Sequence, residues 1–302
     1  NGNVDIFLAI IKLTEDRMNA EKDINEIGVK AILLVEDSMK YYSRYLPIIY
    51  KIIFNQTRSF MSEGLNDYRK MMLMRGRPKI LLATNFEEGK ELFEKYKENL
   101  LGVISDVNYF RDGKRDPEAG FHLLKYVRSY ERYFPFLIQS SDINNEKTAT
   151  ELKGKFLYKY SETLEEELKI YINQYFSFGD FEFWDPVQGK VLAVAKDLTA
   201  LQKILAEVPI ECITYHSKRS EYSKWLRSRA LFPLANLLSN VEYDDFEDAE
   251  QVREYIIESI KMYRIFRSRG VISKFDKNTY DEYSGISRIG DGSLGGKGRG
   301  LA

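Results

Sequence analysis

Residues 30–38 read KAILLVEDS, in which five apolar residues, Ala31–Val35, are followed directly by the carboxylates Glu36 and Asp37. A run this short, without polar residues in alternation, is typical of a strand buried on both faces of a sheet. Similar runs occur at residues 79–83, 101–105, 136–140 and 155–158. Amphipathic segments predict helices at residues 39–74, 87–99, 118–133, 144–152 and 162–176. Strands alternating with helices predict an α/β fold with a doubly wound, five-stranded parallel sheet.

The composition excludes several classes of protein. The 302 residues include 45 basic and 46 acidic side chains, a net charge of -1, which argues against a protein that coats nucleic acid. No apolar run approaches the roughly 20 residues that cross a bilayer, so no membrane partner is expected. The single Cys212 excludes an internal disulfide framework and indicates a reducing, cytoplasmic location. His122 and His216 lie too far apart for a typical zinc hydrolase motif.

The sequence divides into five expected parts. They are an N-terminal extension forming a short helix or strand (1–27), the sheet domain (28–176), a linker or hairpin (177–196), a smaller, mostly α-helical domain (197–275) and a glycine-rich tail (276–302). In the helical domain we expect one helix capped by Asp197 and ended by Pro209, and a second ended or kinked by Pro233. Because the sequence starts at Asn1 and stops in a glycine-rich motif, we expect it to be a piece of a longer protein.

The residues that follow the predicted strands carry the chemistry. In a doubly wound sheet, ligands bind beyond the carboxyl ends of the strands. Three carboxylates at one such edge would repel each other unless a divalent cation joined them, and Mg2+ prefers oxygen ligands. A lysine can neutralise a phosphoryl group, and an aspartate beside the metal is a plausible nucleophile. The candidate residues at this edge are Glu36, Asp37, Asp106, Ser140 and Lys159.

Four motifs in this order resemble the receiver domain of bacterial response regulators. They are VEDS (35–38), ISDVN (104–108), PFLIQSSD (135–142) and FLYKYS (156–161), and the resemblance covers about residues 28–176. It implies the strand order 2-1-3-4-5 and a phosphorelay function in a two-component system.

The resemblance also implies a role for each matching residue. Asp106 would be the phosphoacceptor and Lys159 the phosphate-binding lysine. Ser140 would supply the hydroxyl that moves toward the phosphoryl group, and Phe156 falls at the aromatic switch position. The implied Mg2+ ligands are Glu36, Asp37, Asp106 and the backbone carbonyl of Asn108.

Three features depart from the family's pattern. The loop at residues 109–117 is longer than usual, Tyr160 stands where the family has a proline, and the first helical region, 39–74, is overlong. The long loop could cover the site, change the phosphodonor, or mark a receiver that no longer needs phosphate. The catalytic residue types are all retained, which favours a competent site.

The tail carries a second resemblance. GDGSLGGKGRGLA (290–302) is similar to the opening of the ATP-grasp nucleotide-binding domain of phosphoenolpyruvate synthases and pyruvate phosphate dikinases. It implies phosphate contacts by Lys297 and Arg299. The motif is not a P-loop, because the required Ser or Thr does not follow Lys297. His216 is either a phosphotransfer histidine or, as we favour, a helix-start residue beside Lys218 and Arg219.

Two functions then compete. In the first, the chain is the phosphoryl-accepting regulatory region of a larger phosphoenolpyruvate synthase-like enzyme. Its partners would be a histidine kinase or a small phosphodonor, and it would contact the downstream catalytic domains. In the second, it is a degenerate receiver that docks or forms a homodimer without phosphorylation. A chain that itself turns over a metabolite ranks third.

Overall fold

The computed structural model describes residues 4–26, 28–62, 76–131, 134–229 and 231–268. The strands are β1 (Ala31–Val35), β2 (Lys79–Ala83), β3 (Leu100–Asp106), β4 (Tyr109–Arg111), β5 (Lys114–Asp116), β6 (Phe136–Ser140), β7 (Lys155–Tyr158), β8 (Phe181–Asp185) and β9 (Lys190–Ala195). The helices are α1 (Val4–Ala20), α2 (Met39–Ser62), α3 (Phe86–Tyr96), α4 (Ala119–Tyr130), α5 (Asn145–Glu151), α6 (Leu164–Tyr175), α7 (Leu198–Leu205), α8 (Ile210–Ser217), α9 (Glu221–Ser228), α10 (Phe232–Ser239) and α11 (Ala249–Ser268).

Five strands form one parallel sheet in the order β2-β1-β3-β6-β7. Counted along the chain, this is the order 2-1-3-4-5, so the predicted α/β class and doubly wound topology are confirmed. The chain moves outward from β1 to β2 and then returns past β1 to β3. The strand order therefore reverses between β1 and β3, where a doubly wound sheet opens its ligand crevice.

Both faces of the sheet are covered by helices. Successive strand residues point to opposite faces, so the apolar residues of each strand contribute to two cores, one on each face of the sheet. In β1, Leu33 belongs to one core together with Phe93 of α3, whereas Leu34 belongs to the other together with Ile49 of α2. All five residues of β1 are buried, which explains why its sequence lacks polar alternation.

The N-terminal extension is a helix packed on the sheet. Helix α1 runs into a π-helical turn at Glu21–Glu26 and packs against β2 and α2. Asp16 in α1 is completely buried and pairs with the buried Arg77, with 2.7 Å between Oδ1 and Nη2. This ion pair ties α1 to the segment that enters β2.

The expected long loop at residues 109–117 is instead an antiparallel hairpin of β4 and β5. Asp112 and Gly113 form its turn, with φ of 51° and 71°. Two central residues with positive φ match the tight turn that suits the twist of paired strands. Tyr109 is completely buried and anchors the hairpin beside the end of β3.

The chain divides into two compact units. In the described part of the chain, the sheet unit runs to Asp180 and includes Lys224–Leu231, and the second unit comprises Phe181–Ser223 and Phe232–Ser268. The segment expected as a linker or hairpin contains the antiparallel hairpin β8–β9. As predicted, Asp197 caps α7, accepting a hydrogen bond from the Ala200 N–H at 2.8 Å.

Two predicted helix boundaries in the second unit were wrong. Pro209 is the N-cap of α8, a helix that the sequence analysis missed, and Pro233 lies in the first turn of α10 rather than ending a helix. Proline is tolerated at such positions because the first turn of a helix does not use its N–H groups. No helix in the described part of the chain is long and apolar enough to cross a membrane.

Several sequence expectations fall outside the described residues. The predicted first helix is described as α2 up to Ser62, and residues 63–75 are not described. The end of the expected helical domain, residues 269–275, and the tail with Lys297 and Arg299 are also not described.

The buried Lys30 predicts how the stability of the fold depends on pH. Its Nζ donates to the Glu98 carbonyl at 2.7 Å, and burial, followed by repulsion from Arg227 and Lys224, lowers its pKa to about 7. Between pH 7 and its ordinary pKa the unfolded chain binds this proton more strongly than the folded one, so stability should rise with pH. We expect the gain in unfolding free energy from pH 7 to 9, measured by urea denaturation, to be about 2 kcal/mol smaller in Lys30→Met. Equal gains in both proteins would contradict this.

Candidate functional site

The sequence-predicted carboxylates meet at the carboxyl edge of the sheet. Glu36 and Asp37 follow β1, and Asp106 is the last residue of β3, the strand beside it. One carboxylate oxygen from each of the three residues lies within 4.8 Å of the others. Glu36 is completely buried, whereas the side chains of Asp37 and Asp106 each keep 12% of their surface exposed. The pocket therefore opens to solvent at Asp37 and Asp106.

Lys159 lies at the centre of this cluster. Its buried ammonium is 2.7 Å from Glu36 Oε2 and 2.8 Å from Asp106 Oδ2. The chain after β7 brings it there, and its N–H donates to the Ser140 carbonyl at 2.8 Å. Nζ also lies 4.0 Å from the centroid of the Tyr41 ring, a cation–π distance. Lys159 thus joins the acidic residues of β1 and β3 across the sheet edge.

Burial and mutual repulsion govern the ionisation of the carboxylates. Burial, together with the nearby Asp106 carboxylate, raises the pKa of Glu36 to about 7. Burial also raises the pKa of Asp106, although the neighbouring Lys159 ammonium acts in the opposite direction. Raised values for two acids that share one ammonium indicate an excess of negative charge in the pocket. A further cation beside them would relieve that excess.

Asp106 is held in place by the backbone around it. Its Oδ1 accepts a hydrogen bond from the Val107 N–H at 2.8 Å. Gly120, in the first turn of α4, donates its N–H to the Val107 carbonyl at 2.9 Å. A Cβ at Gly120 would lie 2.0 Å from the Asp106 carbonyl oxygen, so only glycine permits this close approach. This close contact holds the start of α4, which follows the hairpin β4–β5, against the end of β3.

Ser140 ends β6 at the same edge of the sheet. Its buried hydroxyl accepts hydrogen bonds from the Asp142 N–H at 3.1 Å and from Asn145 Nδ2 at 2.9 Å. These bonds hold the Ser140 oxygen against the loop that follows β6. Because the hydroxyl acts as acceptor in both, its own proton can still be donated to a ligand.

Phe156 and Asn108 occupy the remaining predicted positions. Phe156 in β7 is half-buried and packs against the core shared with α3 and α4. Asn108, between Asp106 and the hairpin, uses its carbonyl to accept a hydrogen bond from Arg115 Nη2 at 3.4 Å. The same arginine pairs with Asp37, with 2.6 Å from Nη1 to Oδ2.

The sequence analysis missed three residues of the pocket. Gln139 in β6 is buried, and its Nε2 donates a hydrogen bond to Glu36 Oε2 at 3.3 Å. The one sequence feature that could have indicated this role is a polar amide within the otherwise apolar run FLIQS. Tyr41 packs on Lys159 and hydrogen-bonds Tyr160, with 2.9 Å between the two hydroxyls. This hydrogen bond places Tyr160, which stands where the receiver family has a proline, at the rim of the site. Arg115 is the third residue.

His216 is a buried structural residue of the second unit. It is the penultimate residue of α8, so its expected place at a helix start was wrong. Its Nε2 accepts a hydrogen bond from the Trp184 N–H at 2.9 Å, and its Nδ1 is hydrogen-bonded to Glu221. At 2% exposure its ring is not available to a phosphodonor in this conformation.

Comparison with known proteins gives a limited result. No family model matches the chain, and no curated protein matches it. A solved structure of a response regulator receiver domain protein from Clostridium thermocellum is similar at 19% identity and a TM-score of 0.31. That match covers 49% of this chain and 94% of the other. The receiver-like fold of the sheet unit therefore rests on its own strand order, β2-β1-β3-β6-β7.

Proposed function

We propose that the sheet unit is a phosphoryl-accepting receiver, in which Asp106 takes a phosphoryl group from a histidine kinase or a small phosphodonor. The observation that carries this proposal is the convergence of Asp106, two further carboxylates and one buried ammonium. The carboxylate oxygens lie within 4.8 Å of one another, and Lys159 Nζ lies 2.8 Å from Asp106.

The pocket's residues fit a divalent cation. Asp37 Oδ1 is buried and accepts no hydrogen bond from the described part of the chain, so an acceptor is left for a ligand. Carboxylate and carbonyl oxygens are the groups that Mg2+ prefers. When bound, the ion would neutralise negative charge on the phosphoryl oxygens. The residues that would hold it are Glu36, Asp37, Asp106 and the carbonyl of Asn108.

Asp106 is the best placed of the three acids to act as nucleophile. Its side chain reaches the surface, whereas that of Glu36 is enclosed, and Asp37 is paired with Arg115. A carboxylate oxygen of Asp106 would form a bond to phosphorus while the bond from phosphorus to the donor's leaving atom breaks. That atom, an imidazole nitrogen in a phosphohistidine or an oxygen in acetyl phosphate, keeps the electron pair, and the product is an acyl phosphate.

Two neighbouring residues would stabilise the transferred group. The Lys159 ammonium, already within hydrogen-bond distance of Asp106, would balance charge on the phosphoryl oxygens. The Ser140 hydroxyl would turn from its loop contacts and donate its proton to the same group. Movement of Ser140 would free space that Phe156, half-buried three residues before Lys159, could enter as a switch.

The proposed biological setting is a larger phosphoenolpyruvate synthase-like enzyme that this region regulates through contacts with its catalytic domains. Its support is the resemblance of residues 290–302 to the start of an ATP-grasp domain, with Lys297 and Arg299 as phosphate contacts. The proposal predicts that Asp106→Asn in the parent protein alters regulation of phosphoenolpyruvate formation.

Beryllofluoride, which mimics a phosphoryl group on aspartate, tests the proposed function. With Mg2+ present, we expect it to raise the melting temperature of the wild type saturably by about 5 °C, because a ligand that binds only the folded state stabilises it. Asp106→Asn should show no such rise. Asp112→Asn, the same change at a side chain that is 85% exposed, should respond like the wild type. An unchanged wild-type melting temperature at saturating beryllofluoride would refute the proposal.

A further inference from the structure

The hairpin β4–β5 brings a positive charge to the proposed metal site. It begins three residues after Asp106 and is fixed at its base by the buried Tyr109, whose hydroxyl lies 3.2 Å from Ser105 Oγ. Phe110 also bridges to Asn85, the residue before α3. These attachments give the hairpin a defined position over the carboxyl edge of the sheet.

Arg115 of β5 contacts two of the oxygen groups assigned to the metal. Its Nη1 lies 2.6 Å from Asp37 Oδ2, and its Nη2 donates to the Asn108 carbonyl at 3.4 Å. Phe110, its partner across the hairpin, has its ring centroid 5.5 Å from the guanidinium. The arginine therefore lies on the solvent side of the pocket, where Lys159 does not reach.

We propose that Arg115 is a tethered cation that competes with Mg2+ for Asp37 and the Asn108 carbonyl. This inference rests on the proposed function, because it assigns those oxygens to the metal. Asp37 Oδ1 is open to the ion while Arg115 holds Oδ2, so both cations would lie on one carboxylate and repel each other. Mg2+ therefore binds more tightly when Arg115 leaves Asp37 and the Asn108 carbonyl.

The exposure of Arg115 makes that exchange feasible. About half of its side chain, 51%, is exposed, compared with 2% for Lys159. An ion pair of this kind is held weakly because water screens it and a long side chain must be ordered to form it. Arg115 thus reduces the affinity for Mg2+ without abolishing it, and links metal loading to the position of the hairpin.

Calorimetric titration of the full chain with MgCl2 tests this competition. We expect Arg115→Ala to bind Mg2+ about 3–5-fold more tightly than the wild type, which is within the range that a weak ion pair can supply. Lys114→Ala is the matched control, because it removes the same charge from an exposed neighbour on β5 and should change the affinity less than twofold. Unfolding of each variant without Mg2+ shows whether the fold is retained.

The outcomes separate the two proposals. If the wild type and Arg115→Ala bind Mg2+ equally, or the variant binds more weakly, competition by Arg115 is wrong while the metal site stands. If Lys114→Ala gains as much affinity for Mg2+ as Arg115→Ala, the gain comes from removing any positive charge near the pocket. Specific competition by Arg115 for Asp37 is then also wrong. If neither the wild type nor Arg115→Ala binds Mg2+, the metal site of the proposed function fails, and the competition fails with it.

Discussion

Replacing Asp16 with alanine should lower the free energy of unfolding by about 3–5 kcal/mol, because it leaves a buried guanidinium without its counter-ion. Both Asp16 oxygens accept hydrogen bonds from Arg77, at 2.7 and 3.1 Å. Oδ2 also accepts from the Tyr50 hydroxyl at 2.8 Å and the Ile80 N–H at 3.0 Å. One carboxylate therefore satisfies donors from α2, from β2 and from the segment that precedes β2.

Urea denaturation followed by circular dichroism measures this effect. Asp16→Asn should fall between the wild type and Asp16→Ala, since it keeps one acceptor but loses the charge. Met18→Ala is the control on the same helix, because its side chain is 79% exposed and the change should stay within about 0.5 kcal/mol. An Asp16→Ala variant as stable as this control would mean that the buried network does not hold α1 to the sheet.

Lys159→Met should also cost about 3–5 kcal/mol at neutral pH, because it leaves two buried carboxylates facing each other without the ammonium between them. Glu36 and Asp106 lie 2.7 and 2.8 Å from that ammonium. The same substitution at Lys147, whose side chain is 86% exposed, should change stability by less than about 0.5 kcal/mol.

A second readout separates the two roles of Lys159. If Lys159→Met is still folded, the thermal shift with beryllofluoride and Mg2+ should be lost, since the phosphoryl mimic loses its buried positive partner. A variant that keeps both wild-type stability and the full shift would show that Lys159 neither supports the pocket nor binds the phosphoryl group.

The sheet could be predicted closely because β1, β3 and β6 are buried along their whole length. Four of the five predicted runs end at the same residue as the strand, and β3 extends one residue further at each end, from Leu100 to Asp106. A short continuous apolar run that lies between two amphipathic helices has few plausible structures other than a buried strand. The site residues followed from topology, since parallel strands bring their carboxyl ends to one edge.

The contacts of Arg115 could not be predicted from sequence. The Asp112-Gly113 pair is a strong local signal for a two-residue hairpin turn, and reading residues 109–117 as a loop overlooked it. Even with the hairpin recognised, its tilt over the sheet depends on the burial of Tyr109, a tertiary contact. No local pattern relates Arg115 to Asp37, which lies 78 residues away in sequence.

The helix boundaries predicted in the second unit were wrong for a different reason. A proline after an apolar segment is compatible with the end of one helix or the start of the next, because its ring is tolerated in the first turn. Pro209 was read as the end of a helix and Pro233 as an end or a kink, and α8 was therefore missed. Burial of His216 against the hairpin β8–β9 depends on the packing of that helix.

Chemical trapping of the phosphorylated residue tests the central claim most directly. The protein is incubated with acetyl phosphate and Mg2+ and treated with borohydride, which reduces an acyl phosphate to an alcohol and converts phosphoaspartate to homoserine. Peptide mass spectrometry then identifies the converted position. We expect homoserine at residue 106 in the wild type, none without acetyl phosphate, and none in Asp106→Asn. Conversion at another carboxylate, or at none while the protein is folded and binds Mg2+, would contradict the assignment of Asp106 and favour a receiver that docks without phosphorylation.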